Sequence, residues 1–144
     1  MTDYDPSNIF GKMLRREIPN HQVFEDDTIL VTMDIFPQSR GHMLVIPKAA
    51  SRNLLDADPA ALAKVAMYLP RLGRALVAAT QADGLRVMQF NEAPSGQTVF
   101  HLHFHMIPVY EGMAVGRHAN TARADDGELA ALAKAIAAQL ADTI

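Results

Sequence analysis

Phe100-His101-Leu102-His103-Phe104-His105-Met106-Ile107-Pro108 sets three of the chain's six histidines in alternation with large apolar residues. Successive side chains of a β-strand point to opposite faces. The alternation therefore predicts a strand with His101, His103 and His105 on one face and Leu102, Phe104 and Met106 in the core. Same-face neighbours on a strand stand on the order of 6–7 Å apart, so the imidazole row spans a phosphate group and the atoms beside it. It is too wide to give one metal three ligands unaided. A strand bearing His-x-His holds zinc when a third ligand arrives from elsewhere. The nearest downstream carboxylate, Glu111, follows a proline in loop sequence, and no ligand pattern emerges.

Upstream, Leu85 to Asn91 reads as a strand joined through Ala93-Pro94-Ser95-Gly96 to the histidine strand. The two are then antiparallel neighbours, and Asn91, Gly96, Gln97 and Thr98 fall around the start of the imidazole row. Before Gly84, a helix beginning at Asp58-Pro59 places Leu62, Val65, Ala66, Leu69, Leu72, Gly73, Leu76 and Ala79 at helical spacing. Pro70 predicts a kink or a split in it, because an interior proline costs about 3 kcal/mol. His42-Met43-Leu44-Val45-Ile46-Pro47 suits a central strand buried on both faces, with His42 at its mouth. His21 to Glu25 and Ile29 to Met33 make a hairpin across Asp26-Asp27. A short helix over Ile9 to Arg16, with Ser7 as N-cap, precedes them.

Downstream of Pro108, Val109 to Arg123 has little periodicity and reads as loop, with His118 isolated and exposed. Asp125-Asp126 caps a last helix with an apolar stripe of Leu129, Leu132, Ala133, Ile136 and Leu140. The order predicts an α+β fold, an antiparallel β-sheet of about five strands with a long helix and terminal helices, as a single domain over residues 1–144. There is no internal repeat.

With 144 residues, 49% of them hydrophobic, the chain is long enough to bury one real core. A net charge of −3 argues against a generic nucleic-acid binder, although the substrate can still be anionic. Cysteine is absent, which excludes disulfides, a thiol nucleophile and thiolate metal sites. MTDYDPSNIF lacks the basic start and apolar run of a signal peptide, and no stretch approaches the length of a membrane span. The expectation is a cytoplasmic protein with no nucleic-acid and no membrane partner.

Neutral imidazole, with an unperturbed pKa of about 6.5, is a competent nucleophile near pH 7. Attack at phosphorus gives a P–N bond that water later breaks, which splits one difficult displacement into two easier ones. Donors around the phosphoryl oxygens supply much of the remaining catalysis. His101, His105, Gly96, Gln97 and Thr98 are placed in sequence to surround a phosphate bound at His103.

HLHFHMI resembles the His-x-His-x-His-x-x signature, with x apolar, of the histidine triad (HIT) superfamily, and Gly96-Gln97-Thr98-Val99 resembles the segment that precedes it there. Ile9-Phe10-Gly11-Lys12, Glu25-Asp26-Asp27, Asp34-Ile35, Gly41-His42, Val45-Ile46-Pro47-Lys48 and Asn91 follow the family's landmarks in order. The resemblance spans about residues 8 to 110 and is similar to the Hint-like branch. It implies His103 as the nucleophile, His105 and His101 as phosphate-orienting and proton-handling groups, and His42 as support for that network. It also implies Asp34 at the ribose hydroxyls, Ile35 against the base, and Asn91, Gly96, Gln97 and Thr98 at the phosphate or leaving group. Each of several residues also has a structural reading: Asp34 closing a turn, Asn91 satisfying loop backbone, Gly96 supplying unusual backbone angles.

Many bacterial relatives carry a zinc site from Cys-x-x-Cys and a histidine; the corresponding positions here are Asn8, Gly11 and Ala50, so no structural zinc and no cofactor is expected. The resemblance implies a homodimer with the two sheets joined. The expected function is hydrolysis of a purine nucleoside phosphoramidate, or a related nucleoside phosphate, at its α-phosphorus. The partner is then a purine nucleotide or nucleotide conjugate. Alternatives are a dinucleoside polyphosphate hydrolase, a nucleotidyl transferase, or a regulatory nucleotide binder with vestigial catalysis.

Overall fold

The structure, a computed structural model, describes residues 2–142; Met1, Thr143 and Ile144 of the expected domain lie outside the described residues. The chain runs α1 (Ile9–Leu14), β1 (Gln22–Glu25), β2 (Ile29–Met33), β3 (Met43–Pro47), α2 (Pro59–Thr80), β4 (Gly84–Met88), β5 (Phe104–Val109) and α3 (Asp126–Asp142). Short 3-10 turns lie at Leu54–Asp56 and Ala93–Ser95. The five strands form one sheet in the order β1-β2-β3-β5-β4, with every neighbouring pair antiparallel. This is the α+β architecture expected from the sequence.

The strand patterns explain the layering. Ile29, Val31, Met33, Met43, Val45 and Met106 join buried residues of α2 and α3 in the main core. Leu30, Leu44 and Ile46, the alternate residues, pack with Phe10 of α1 in a second cluster on the opposite face. Both β2 and β3 are covered on two sides and are buried throughout. The α3 stripe is buried as its spacing requires, and each such Leu or Ile contributes about 1.5–3 kcal/mol relative to exposure.

His105 stands opposite Leu44 of β3 and Met88 of β4, which puts it on the α1 side of the sheet, while its neighbours Phe104 and Met106 face the main core. The expected alternation holds for that half of the stretch. His101 and His103 differ: β5 begins only at Phe104. The preceding residues bend, because the Leu102 N–H donates to the Ser51 carbonyl (2.9 Å) instead of continuing the ladder with β3.

Two local expectations are corrected. Asn8, not Ser7, caps α1, its side chain accepting from the Gly11 N–H at 2.8 Å, while the Ser7 hydroxyl turns to Asp5. Helix α2 runs unbroken through Pro70. Pro70 and Ala66, whose carbonyl the proline leaves without its helical donor, are both exposed, so water can replace the lost bond. Val65, Leu72, Ala75 and Leu76 hold the other face in the core.

Candidate active site

Hydrogen bonds assign the tautomers of all four buried histidines, because a carbonyl only accepts and a backbone N–H only donates. His103 donates Nδ1–H to the His101 carbonyl (2.7 Å), which leaves the lone pair on Nε2. His42 accepts the Gln38 N–H at Nδ1 (3.0 Å), so its proton is on Nε2, 2.9 Å from Nδ1 of His105 and 3.4 Å from Asp34 Oδ2. His105 accepts at Nδ1 and carries its proton on Nε2, which is buried without a hydrogen-bond partner. His101 donates Nε2–H to the Pro47 carbonyl (2.7 Å) and accepts from the Tyr4 hydroxyl at Nδ1 (2.7 Å). Two adjacent rings, His103 and His105 with centroids 4.9 Å apart, thus present opposite chemistry: one free lone pair and one free N–H.

Burial keeps these rings neutral. It pushes His103 down to about 4 and His42 down to about 3, and it lowers His105 and His101 as well. For His105 the neighbouring His103 and His42 act in the same direction. A neutral His103 is a usable nucleophile across the physiological range. Phe10 packs edge-on against it at 4.7 Å between centroids and holds the ring upright.

A cleft of about 800 Å3 opens in front of these rings, lined by His42, His103, His105, Asp34, Ile35 and Thr98 among others. That volume suits a nucleotide-sized ligand. Phe36 at its mouth is half exposed. Asp34 accepts the Phe36 N–H at Oδ1 (2.8 Å), the turn-closing bond, and also faces His42 through Oδ2. Burial pushes its carboxyl up to about 6. The charged side chains lining the cleft, among the described residues, are Asp34, Arg123 and Asp126, and the last two pair with each other at 3.0 Å.

The structure separates the remaining sequence-selected residues. His101 lies behind His103, outside the cleft lining, and acts on it through its carbonyl. The Gln97 amide is spent internally: Oε1 accepts from Asn53 Nδ2 and the Glu92 N–H, and Nε2 donates to the Arg52 and Val99 carbonyls. Asn91 is tied to the Leu54 N–H and to the Gln89 amide. Both therefore build the loop rather than face the cleft. Gly96 has φ +115°, which a side chain would strain, and its carbonyl accepts from His118 Nε2 at 2.6 Å.

His118 corrects the expectation of an isolated exposed residue: it is half-buried, lines the cleft, stacks on Phe90 at 4.4 Å and meets His105 edge-on at 5.1 Å. Its sequence neighbourhood carried no periodic signal, and Tyr4 and Gln38 gave none either.

Asp34, His42 and His105 bring three donor atoms within 4.8 Å of one another. A metal there would need the His42 Nε2 lone pair, forcing the proton onto Nδ1 against the Gln38 N–H. The cluster fits a shared proton better than a cation.

A sheet of this topology presenting hydrogen-bonded imidazoles into a nucleotide-sized cleft defines a histidine-triad protein, and a family model described as HIT domain matches residues 15–112. The chain belongs to the HIT family, within a superfamily of nucleotide-binding hydrolases and transferases. It is 37% identical over 100 residues to adenylylsulfatase HINT3 of Arabidopsis thaliana, covering 69% of this chain and 51% of that protein. It thus spans about half of that relative's length. The crystal structure of a Hit-like protein involved in cell-cycle regulation from Bartonella henselae superposes with a TM-score of 0.90 at 48% identity, covering 96% of this chain and 99% of that one. A Zn-bound histidine triad family protein from Mycobacterium smegmatis gives 0.82 at 31% identity, with 94% of each chain covered.

Where the family resemblance implies a zinc site, at Asn8, Gly11 and Ala50, the residues do not fit that metal. Gly11 and Ala50 offer no side-chain donor, and Asn8 is engaged with the Gly11 N–H, the Asp5 carbonyl and the Tyr4 hydroxyl.

Proposed function

We propose that this chain hydrolyses a purine nucleoside phosphoramidate, or a related nucleoside phosphate, at the α-phosphorus, with His103 Nε2 as nucleophile. The observation that carries the reading is the opposed pair of adjacent rings, a lone pair on His103 beside an unpartnered N–H on His105. As the P–Nε2 bond forms, His103 becomes cationic, and the His101 carbonyl that accepts its Nδ1–H stabilises that charge. The bond from phosphorus to the amine breaks, and the amine departs with a proton taken from solvent. Water then attacks phosphorus, the P–Nε2 pair returns to the ring, and the proton is given back to solvent. His105 Nε2–H and the Thr98 hydroxyl donate to the phosphoryl oxygens through both steps. Asp34 accepts from the ribose hydroxyls, and Ile35 walls the base.

The cleft favours a compact leaving group over a polyphosphate. A chain of further phosphates is best held by cations along it, whereas Arg123, the guanidinium in the lining among the described residues, is paired with Asp126. An adenylyl conjugate is also in keeping with the name of the Arabidopsis relative.

Residues 1–144 act as one cytoplasmic domain in this reading, assembled as a homodimer through the edge strand β4. There Val87 is half exposed and an apolar groove runs between Pro70 and Gly73 of α2 and Leu85 and Val87 of β4. No helix among the described residues is long and apolar enough to cross a membrane.

Rapid quench with an adenosine phosphoramidate, analysed by intact mass and peptide mapping, tests the chemistry. A nucleotidyl adduct on His103 that forms and decays at the turnover rate is expected, and none in His103→Ala. Tight nucleotide binding with neither adduct nor product would replace the enzyme by a regulatory binder.

A further inference from the structure

We propose that the segment after β5 is a strap that positions the His42–His105 pair, with His118 as the positioning residue; the catalytic meaning rests on the reading above, but the geometry does not. The strap is anchored along its length to the loop between β2 and β3. The Tyr110 hydroxyl donates to the Arg40 carbonyl (2.6 Å), the Gly116 N–H to the Gln38 carbonyl (2.7 Å), the Thr121 hydroxyl to the Phe36 carbonyl (2.9 Å) and the Ala124 N–H to the Ile35 carbonyl (2.9 Å). Gln38 returns a bond, its Nε2 donating to the Gly116 carbonyl (2.8 Å). Gly116 permits this double contact: a Cβ there would stand 2.7 Å from Thr121 Cγ2 and 3.2 Å from the Gln38 carbonyl oxygen.

Gln38 is also the residue whose N–H fixes the His42 tautomer. The strap therefore reaches the first ring of the pair through Gln38. It reaches the second through His118, which touches His105 edge-on, stacks on Phe90, and donates Nε2–H to the Gly96 carbonyl. Phe90 itself meets His105 edge-on at 5.6 Å, so His105 is held between two aromatic partners that hold each other. The Gly96 turn, which leads to Thr98 in the cleft lining, is fastened by the same histidine. One side chain from a segment without regular structure thus sets both the ring that offers N–H to the substrate and the loop beside it.

The reason this arrangement matters is orientational. The His105 Nε2–H is useful only if its direction is fixed, since a donor must lie within a few tenths of an ångström of the place where charge develops. The His42 bond fixes which nitrogen carries the proton but allows the ring to swing about that bond. The stack of His118 and Phe90 removes the swing.

The test compares His118→Ala, His118→Phe and His118→Gln with the full-length wild type, by nitrogen-15 NMR of the imidazoles and by steady-state kinetics on adenosine phosphoramidate. In the wild type His105 is expected to show one fixed tautomer, protonated at Nε2. In His118→Ala the tautomer should persist, because the His42 bond sets it, but the His105 Nε2 signal should shift and broaden as the ring swings, and kcat should fall about tenfold with KM changed less than twofold. His118→Phe, which keeps the stack on Phe90 but not the bond to Gly96, should restore the His105 signals and most of kcat; His118→Gln should restore neither. If His118→Ala melts below the assay temperature, the contrast between Phe and Gln carries the same test. Unchanged His105 signals in both Ala and Gln variants would overturn the proposal, as would a loss of kcat that Phe and Gln rescue equally. A wild type inactive on every nucleotide tried would remove the functional reading alone, because the NMR comparison needs no substrate.

Discussion

His42 Nε2 lies 2.9 Å from Nδ1 of His105, and the Gln38 N–H occupies the opposite nitrogen of His42 at 3.0 Å. The proton order is therefore set by a backbone group outside the triad: Gln38 N–H to His42 and His42 N–H to His105, which leaves the His105 proton on a buried, unpartnered Nε2. Removing His42 leaves a buried acceptor on His105 and a buried backbone donor on Gln38 together. His42→Ala is expected to cost about 2–4 kcal/mol in denaturant unfolding and to lower kcat by about 10–100-fold, the usual effect of losing a partner that orients a functional imidazole. A variant as stable and active as wild type would show that His105 orients itself.

Stability should fall on the acid side. A histidine whose folded pKa lies below its unfolded value of about 6.5 takes up its proton first in the unfolded chain. Its contribution is lost as pH drops from about 6.5 toward the folded value, which is about 4 for His103 and about 3 for His42. Asp34 acts oppositely: with a folded pKa pushed up to about 6, its contribution is present at low pH and lost as pH rises through 6. His42, His101, His103 and His105 outnumber that carboxyl. Urea midpoints should therefore decline steadily from pH 7 to pH 4, each net proton adding about 1.4 kcal/mol per pH unit. A flat profile would mean the rings are not neutral in the fold.

The same pKa values separate binding from chemistry in the kinetics. Asp34 loses its charge below about pH 6, whereas His103 stays neutral to about pH 4. KM for a ribonucleotide substrate should rise as pH falls through 6 while kcat holds to about pH 5. Asp34→Asn should raise KM about tenfold, the scale of one lost charge-assisted hydrogen bond, and abolish its dependence on pH in that range.

Gln97 is expected to matter for folding and not for turnover. Its amide closes four hydrogen bonds, two within its own loop and two to Arg52 and Asn53 ahead of α2, and is nearly inaccessible at 3%. Gln97→Ala strands several of those partners and should destabilise by about 2–4 kcal/mol. Its kcat, measured well below the melting temperature, should stay within threefold of wild type. A large kcat loss in a stable variant would return Gln97 to the phosphate.

Much of this was legible in order along the chain. The α3 stripe, the doubly buried Met43–Pro47 run and the His105 face follow from periods of 3.6 and 2, which local geometry imposes on any chain that buries one side. Pro70 misled because a proline's cost depends on whether the carbonyl it strips faces water, and exposure of Ala66 is a tertiary fact. The row of three histidines misled in part because alternation gives the face of a residue only while the ladder continues, and Ser51 ends it at Leu102.

The sequence by itself determined the elements, the family resemblance and the presence of four imidazoles around one strand end, since these depend on periodicity and residue type. Only the tertiary structure decided which nitrogen of each ring carries the proton, that Gln97 and His101 lie outside the cleft lining, and that His118 is part of it. Those outcomes depend on which backbone carbonyl or N–H a folded chain brings within 3 Å of a ring, from residues as distant as Tyr4, Pro47 and Gln38. No local pattern records such encounters, because hydrogen bonds between remote segments are made by the packing of the sheet and not by the spacing of the residues that share them.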